Sequence, residues 1–346
     1  MELLLISDPA RCGDAAMDVP AFYRAAARRP GWSVHHCPTH RVVAGDPERL
    51  PVVPLPAELS HGHFLELNHR ATDVISLKQV DLVFCRSLKP FPAGYLDALS
   101  DWERLTRFVN RPSSKRIQMR ADFLPSIAAP FLIDLQTCGD AAVLEAYAQR
   151  HGVIVAKRMN STGGRAVFRV WRQDGDWCTD NIGEGRRRFT GAGPLMAHLQ
   201  SHPGEVLQLS RFLPRALEGD KRVVVVDGEI QGAYLRRSGT GHWVNNVSHD
   251  GQCSLAEIGA GERRAIEATV PRYRELGLVT LGYDFLRHDD GRWLISEINV
   301  GNVGGFHRLQ RLSGEPVLQR LLSWMERSIQ GRPPPVERSS PSAAPP

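Results

Sequence analysis

Leu278-Val279-Thr280-Leu281-Gly282-Tyr283-Asp284-Phe285-Leu286-Arg287-His288-Asp289-Asp290-Gly291-Arg292-Trp293-Leu294-Ile295-Ser296-Glu297-Ile298-Asn299-Val300 carries the densest structural and chemical information in the chain. Two β-branched and aromatic runs flank Asp290-Gly291, the dipeptide favoured in a two-residue type I′ hairpin. With such a loop, opposed positions sum to 581, so Asp284 faces Glu297. Side chains alternate along a strand, so Asn299 joins the same face and Phe285 and Ile298 point away. Two opposed carboxylates repel by about 3 kcal/mol at about 5 Å and an effective dielectric of about 20. A hard divalent cation would offset that, because two carboxylates and an amide oxygen are donors magnesium accepts. A Lys or Arg neighbour, or plain solvation of the face, would offset it as well. A loop longer than two residues would shift the register.

Upstream, Arg222–Val226 and Glu229–Leu235 flank a second pair, Asp227-Gly228, and predict another hairpin. Between the two hairpins, residues 262–276 have helical character with a kink or break expected at Pro271. Pro316 is placed to open a last helix, because Val317, Leu318, Leu321, Leu322 and Met325 follow at helical spacing.

Val153–Lys157 is a short strand, and Arg158 through Gly163, Gly164 and Arg165 separates it from a second strand at Ala166–Trp171. Paired glycines let backbone N–H groups approach an anion, and a lysine at a strand end supplies a point charge for phosphates. A plain Gly-Gly turn would look the same. Neither G-x-x-x-x-G-K-[ST] nor a strand-to-helix G-x-G-x-x-G occurs. Residues 1–115 alternate strand-like Leu3–Ile6 and Val80–Arg86 with helix-like Val19–Arg29 and Tyr95–Phe108, the punctuation of an α/β unit. A helix is expected at Ala141–Arg150.

In this order the pieces resemble the glutathione synthetase branch of the ATP-grasp superfamily. Phe212-Leu213-Pro214 with Gly219-Asp220-Lys221-Arg222-Val223-Val224-Val225-Val226-Asp227-Gly228-Glu229 is similar to that family's hinge and following strand. Glu297-Ile298-Asn299-Val300 resembles its metal-binding E-I-N-V, and Lys157 to Val170 its lysine and glycine-rich lid loop. Arg86 with Pro90-Phe91 and Val109-Asn110-Arg111-Pro112 resemble its R-x-x-x-P-F and V-N-x-P segments.

The resemblance implies an ATP-grasp fold of two α+β subdomains gripping ATP (116–205 with the lid loop, 206–330 with the metal site). An N-terminal α/β domain (1–115) precedes them and a disordered tail (331–346) follows. It implies ATP and magnesium or manganese as cofactors, with Asp284, Glu297 and Asn299 holding the metal. Arg120, Lys157, Gly163, Gly164, Ser210, Phe212, Leu213 and Asp220 would serve the nucleotide. Arg222 and Asn246 would be catalytic, steadying the transferring phosphoryl group or the substrate, and Arg86, Gly304 and Gly305 would contact substrate. Two departures stand out. Ile117-Gln118-Met119-Arg120 replaces the family's Asn-Asp-Lys or Asn-Glu-Lys, and Gly301-Asn302-Val303-Gly304-Gly305-Phe306 replaces its Thr-Ser-Pro-type loop, so γ-glutamylcysteine and glycine are not assumed as the substrates. The implied activity is carboxylate-amine ligation through an acylphosphate on a small molecule or short peptide. A ligase modifying a peptide or protein terminus and a non-catalytic ATP-binding module are the alternatives.

Composition agrees with this class. The chain of 346 residues is 42% hydrophobic, enough for real cores, and its +5 charge suits a polyanionic ligand or an ordinary basic surface. Arg186-Arg187-Arg188 is a short basic cluster without aromatic interleaving, so nucleic acid is not an expected partner. No run approaches the roughly 20 apolar residues of a membrane span, and Met1–Pro9 reads as a first strand rather than a signal peptide. Six scattered cysteines without a C-x-x-C pair suggest reduced thiols and a cytoplasmic location. His35, His36, Cys37 and His40 supply metal-type ligands, but adjacent strand residues point to opposite faces. Homo-oligomerisation is expected by analogy only.

Overall fold

A computed structural model describes residues 1–70, 72–158, 164, 166–245 and 251–330. Gly163, Asn246 and the expected tail 331–346 lie outside the described residues. The chain forms two compact units: Met1–Arg116 with Tyr273–Thr280 and Val300–Pro346, and Ile117–Arg272 with Leu281–Asn299.

In the first unit, β1 (Glu2–Ser7), β2 (Ser33–Pro38), β3 (Leu50–Pro54), β4 (Asp73–Ile75) and β5 (Leu82–Cys85) form a sheet of order β4-β3-β2-β1-β5. β1 is parallel to both β2 and β5. Its apolar run Leu3–Ile6 is fully buried, as expected for a central parallel strand covered on both faces. His35 and His36 diverge as adjacent strand residues must. His36 is buried between the Tyr23 hydroxyl at 3.0 Å and Asn68 at 3.0 Å, and burial lowers its pKa to about 4, while His35 meets Glu2 at 2.9 Å. All six cysteines are free thiols, and five are buried.

The helix expected over Tyr95–Phe108 ends at Trp102. Beyond it the chain extends beside β5, with Val83 N–H donating to Arg107 O at 2.7 Å and Val109 N–H to Val83 O at 3.0 Å; pairing with a sheet edge overrides the helical pattern. The unit also recruits later segments of the chain through Asn110. Its amide nitrogen donates to Thr280 O (2.9 Å) and Val300 O (2.6 Å), and its oxygen accepts from Val279 N (2.7 Å) and Thr280 N (2.9 Å). That uses the full hydrogen-bonding capacity of one buried amide.

The second unit holds two sheets. β6 (Leu135–Cys138), β7 (Ile154–Arg158), β8 (Val167–Gln173), β9 (Asp176–Asn181), β10 (Gly185–Phe189) and β11 (Leu207–Arg211) run in the order β10-β9-β8-β7-β11-β6. One face packs on the helices Ala141–His151 and Ala192–Leu199 through Ile154, Ala156, Phe168, Val170, Leu207 and Leu209. Period-two alternation therefore turns Val155, Lys157, Gln208 and Ser210 to the other face.

β12 (Asp220–Val226), β13 (Glu229–Arg237), β14 (Gln252–Leu255), β15 (Thr280–Arg287) and β16 (Trp293–Asn299) form the other sheet, in the order β14-β13-β12-β15-β16. Asp227 (φ 46°) and Gly228 (φ 79°) make the expected two-residue turn, with Val226 opposite Glu229. The helix Ala260–Glu275 contains Pro271 without ending there, and Pro271 lies on the exposed side.

The β15–β16 hairpin departs from the two-residue loop read in the sequence. Arg287 pairs with Trp293, and His288 N–H donates to Arg292 O at 2.8 Å, so the loop is the three residues Asp289-Asp290-Gly291. Gly291, at φ 89°, takes the left-handed position that such a loop requires. Opposed positions near the turn sum to 580. A bulge then places Ser296 as an extra residue between the Phe285–Ile295 and Asp284–Glu297 pairs, restoring 581. Asp284 consequently does oppose Glu297, because the longer loop and the bulge cancel.

Candidate active site

A cavity of about 290 Å³ lies in the second unit between its two sheets. β7 and β11 contribute Lys157, Val155, Gln208 and Ser210; β12 contributes Asp220 and Arg222; β13 contributes Arg236; β15 and β16 contribute Asp284, Glu297 and Asn299. Phe212, Leu213 and Gly164 also line it, as do the apolar side chains of Ile133, Leu135, Val167 and Leu286.

The polar side chains form one connected charge cluster. Arg222 donates to Asp284 through Nε to Oδ1 (2.5 Å) and Nη2 to Oδ2 (2.8 Å), a two-pronged pair. Arg236 bridges both aspartates. It reaches Asp220 at 2.6 and 2.8 Å and Asp284 Oδ1 at 2.8 Å. Asn299 Nδ2 donates to Asp284 Oδ2 at 3.1 Å, and Lys157 Nζ meets Glu297 Oε2 at 2.5 Å. Asp220, Asp284 and Glu297 are thus balanced by Lys157, Arg222 and Arg236, and the counter-charge for the opposed carboxylates comes from protein cations.

Burial sets the electrostatics. Arg222, Arg236 and Asp284 are less than a tenth exposed. For Asp284, burial pushes the pKa up, but Arg222 and Arg236 outweigh it and hold the carboxyl below its usual range. For Asp220, burial wins over Arg236 and the carboxyl is raised. Arg236 is lowered by burial and raised more strongly by Asp220 and Asp284, ending well above its ordinary value.

The cluster has the chemistry of a divalent-metal site. Two carboxylates and an amide are oxygen donors of the hard type. Glu297 accepts a hydrogen bond from Lys157 through one oxygen only, and Asn299 is engaged through its nitrogen, leaving its oxygen as a ligand. Asp284 accepts two hydrogen bonds on each oxygen, so to serve as a ligand it would have to release Arg236 or the Asn299 amide. The residues fit the group, with that one exchange.

Gly164, Trp243, Val244 and Asn245 also line the cavity. Gly164 has φ +74°, and a Cβ there would come within 2.7 Å of Val244 Cγ1, so both backbone conformation and close approach call for glycine. Trp243 packs edge-on against Phe212 with centroids 5.8 Å apart and donates from its indole to Asp180 at 2.9 Å. Arg169 stacks over Phe212 at 4.3 Å. Asn245 is buried and ties Ala216 O to Ser238 N–H.

Lys157, Gly164, Ser210, Phe212, Leu213, Asp220, Arg222, Asp284, Glu297 and Asn299 therefore converge on one cavity. Arg120 is not among its lining residues. It is two-thirds exposed and paired with Asp122 at 2.8 Å. Arg86, Gly304 and Gly305 belong to the first unit. There, Arg86 is buried over the Phe84 ring and donates to Val303 O at 2.8 Å; burial lowers its pKa, with Asp18 opposing. The Gly305 and His307 N–H groups donate to the Asp18 carboxylate at 2.6 Å each, so the N-terminus of the helix Phe306–Ser313 is capped from within the chain.

The sequence reading missed Arg236, Trp243 and Asn245. Counting back from Asp227-Gly228 places Leu235 opposite Asp220, but the register shifts between Val224 and Val225, leaving Gln231 unpaired and bringing Arg236 opposite Asp220. Nothing in the local sequence marks that bulge.

The family model described as prokaryotic glutathione synthetase, ATP-grasp domain, matches residues 124–314. The glutathione synthetase of Prochlorococcus marinus (strain MIT 9313) is 30% identical over 337 residues, spanning 93% of this chain and 98% of that protein. Among solved structures, the D-cycloserine synthetase DcsG superposes with a TM-score of 0.63 at 15% identity, covering 94% of this chain and 99% of that one. The ATP-grasp ligase PsnB, in complex with a minimal precursor, has a TM-score of 0.57 at 14% identity, with coverage of 94% and 98%. At those identities the likeness to the two structures is one of fold.

Proposed function

The chain belongs to the prokaryotic glutathione synthetase family of ATP-grasp ligases, which form C–N bonds, and on that premise we propose that it activates a carboxylate of an amino acid or small peptide as an acylphosphate and couples it to an amine. The observation that supports this reading best is the convergence of Lys157, Arg222, Arg236, Asp284, Glu297 and Asn299 on one cavity.

In the proposed reaction a substrate carboxylate oxygen attacks the γ-phosphorus of ATP, the bond to the β,γ-bridging oxygen breaks, and ADP leaves. The amine nitrogen then attacks the acyl carbon, loses a proton and expels inorganic phosphate. Asp284, Glu297 and Asn299 would hold magnesium, or manganese in its place, which when bound supplies charge neutralisation at the β- and γ-phosphates. Lys157 meets phosphate oxygens from the end of β7. Arg222 and Arg236 are forks suited to the phosphoryl oxygens in flight, and Asp220 orients Arg236 through its two hydrogen bonds. Phe212, Leu213, Leu135 and Ile133 give an apolar surface for the base, and the glycine-rich segment at Gly164, which lines the same cavity, would keep water from the acylphosphate.

A second reading places the activated carboxylate on a longer peptide. It is favoured by the fold shared with PsnB, whose structure holds a precursor, and by Gly301–Phe306 departing from the Thr-Ser-Pro-type loop that the family resemblance implies. The two separate in one experiment. ADP release is measured with magnesium against amino acids, γ-glutamylcysteine plus glycine, and short peptides, with hydroxylamine added to trap the acylphosphate as a hydroxamate for mass spectrometry. A hydroxamate on a free amino acid or dipeptide supports the first reading, and one formed only on longer peptides the second. ATP binding with no ADP release across all carboxylate and amine pairs would overturn both.

A further inference from the structure

The first unit contains another cavity, of about 750 Å³, that the proposed reaction does not use. Its size falls in the range of about 300–1,000 Å³ typical of small-molecule sites. Its floor is the sheet edge where residues 106–110 run beside β5, presenting Phe108 and Val109 together with Leu82. Trp324, from the helix Val317–Ile329, and Val279 wall it. Phe108, Val279 and Trp324 are all partly exposed, so the apolar surface is open to solvent.

The rim is positive. Arg104, Arg107 and Arg111 stand against a single acid, Glu103. Glu103 is already engaged, accepting from Ser113 N at 2.6 Å and Ser113 Oγ at 2.8 Å. Arg104 reaches Asp101 only at 3.9 Å, with both side chains about two-thirds exposed or more. Arg111 lies instead against Gly277. Its N–H donates to Gly277 O at 3.1 Å, and a Cβ on Gly277, which sits at φ +67°, would come within 3.3 Å of Arg111 Nε. Among the described residues no carboxylate pairs with Arg111, and the lack of a side chain at Gly277 leaves room for its guanidinium there.

The geometry points to a second binding site, for an anionic small molecule with a flat apolar body. The body packs on Phe108, Val279 and Trp324, and the carboxylate, phosphate or sulfonate head is held by Arg104 and Arg111, whose forks match such oxygens. Apolar contact and charge are both needed, which distinguishes this site from a merely greasy groove.

The test is a fluorescence titration of the full chain with anilinonaphthalene sulfonate and with its uncharged analogue phenylnaphthylamine, both in the presence of magnesium and saturating ADP. The sulfonate is expected to bind, and the double variant Arg104→Gln/Arg111→Gln to weaken it about tenfold while leaving phenylnaphthylamine unchanged. Trp324→Ala weakens both probes. Gly277→Ala, which displaces Arg111, weakens the sulfonate selectively and serves as an independent check. A double variant whose sulfonate affinity stays within about twofold of the parent overturns the proposal. So does equal loss of both probes, displacement of the sulfonate by ADP, or sedimentation showing a second copy of the chain covering the face and excluding the probe.

Discussion

Arg236→Met would break the charge cluster at its most connected point. Arg236 satisfies both oxygens of Asp220 and one oxygen of Asp284, and it is 8% exposed, so water does not replace it without reorganisation. Its removal leaves three carboxylates against Lys157 and Arg222. Asp220 loses its two-pronged partner inside the protein. Breaking a buried ion pair from one side costs about 3–5 kcal/mol, because a charge is left uncompensated. The loss should depend on pH with a definite sign. Asp220 is the carboxyl that burial already raises, and without Arg236 it rises further. An acid whose folded pKa lies above its unfolded value favours the folded state fully at low pH and loses that contribution as pH rises through the folded value. The deficit of Arg236→Met relative to the parent is therefore largest near pH 8 and shrinks toward pH 5. Urea unfolding followed by circular dichroism at the two pH values measures it. A loss below about 1 kcal/mol at pH 8, or a deficit independent of pH, would refute the cluster as an electrostatic unit. Arg236→Lys keeps the charge without the fork and should fall between parent and Met variant.

Asp284→Asn and Glu297→Gln should each lower ADP release by about two orders of magnitude or more, and a higher manganese concentration should recover part of it; full activity in either variant would remove these residues from the metal site. Gly164→Val imposes both an unfavourable φ and a clash with Val244, and is expected to raise the ATP KM several-fold in a steady-state assay, with Val244→Ala relieving only part of the effect. Arg120→Ala should leave the ATP KM unchanged, since its side chain is exposed and paired with Asp122; a clear rise would place it at the nucleotide after all. Asn110→Ala removes four hydrogen bonds from a buried amide and should destabilise the first unit by about 2–4 kcal/mol, read as a lower urea midpoint.

Much of the site was legible in the sequence because strand chemistry repeats every two residues. Asp284, Glu297 and Asn299 share a face for that reason, as do Asp220 and Arg222, and Lys157 stands at the end of a short β-branched strand. The V-N-x-P asparagine could be found by resemblance, but its task of holding Val279, Thr280 and Val300 could not, since those partners lie about 170 to 190 residues away in the chain.

Sequence by itself determined which residue types share a face and where the turns fall, since backbone alternation and Asp-Gly geometry are local. Register and charge pairing were decided only in three dimensions. A bulge at Ser296 offset a loop one residue longer than Asp290-Gly291 suggests, preserving the Asp284–Glu297 pair. A second bulge, leaving Gln231 unpaired, placed Arg236 rather than Leu235 across from Asp220. Such irregularities depend on how a strand twists and packs against the rest of its sheet, so the cation that ties the two aspartates together becomes visible only once the strands are side by side.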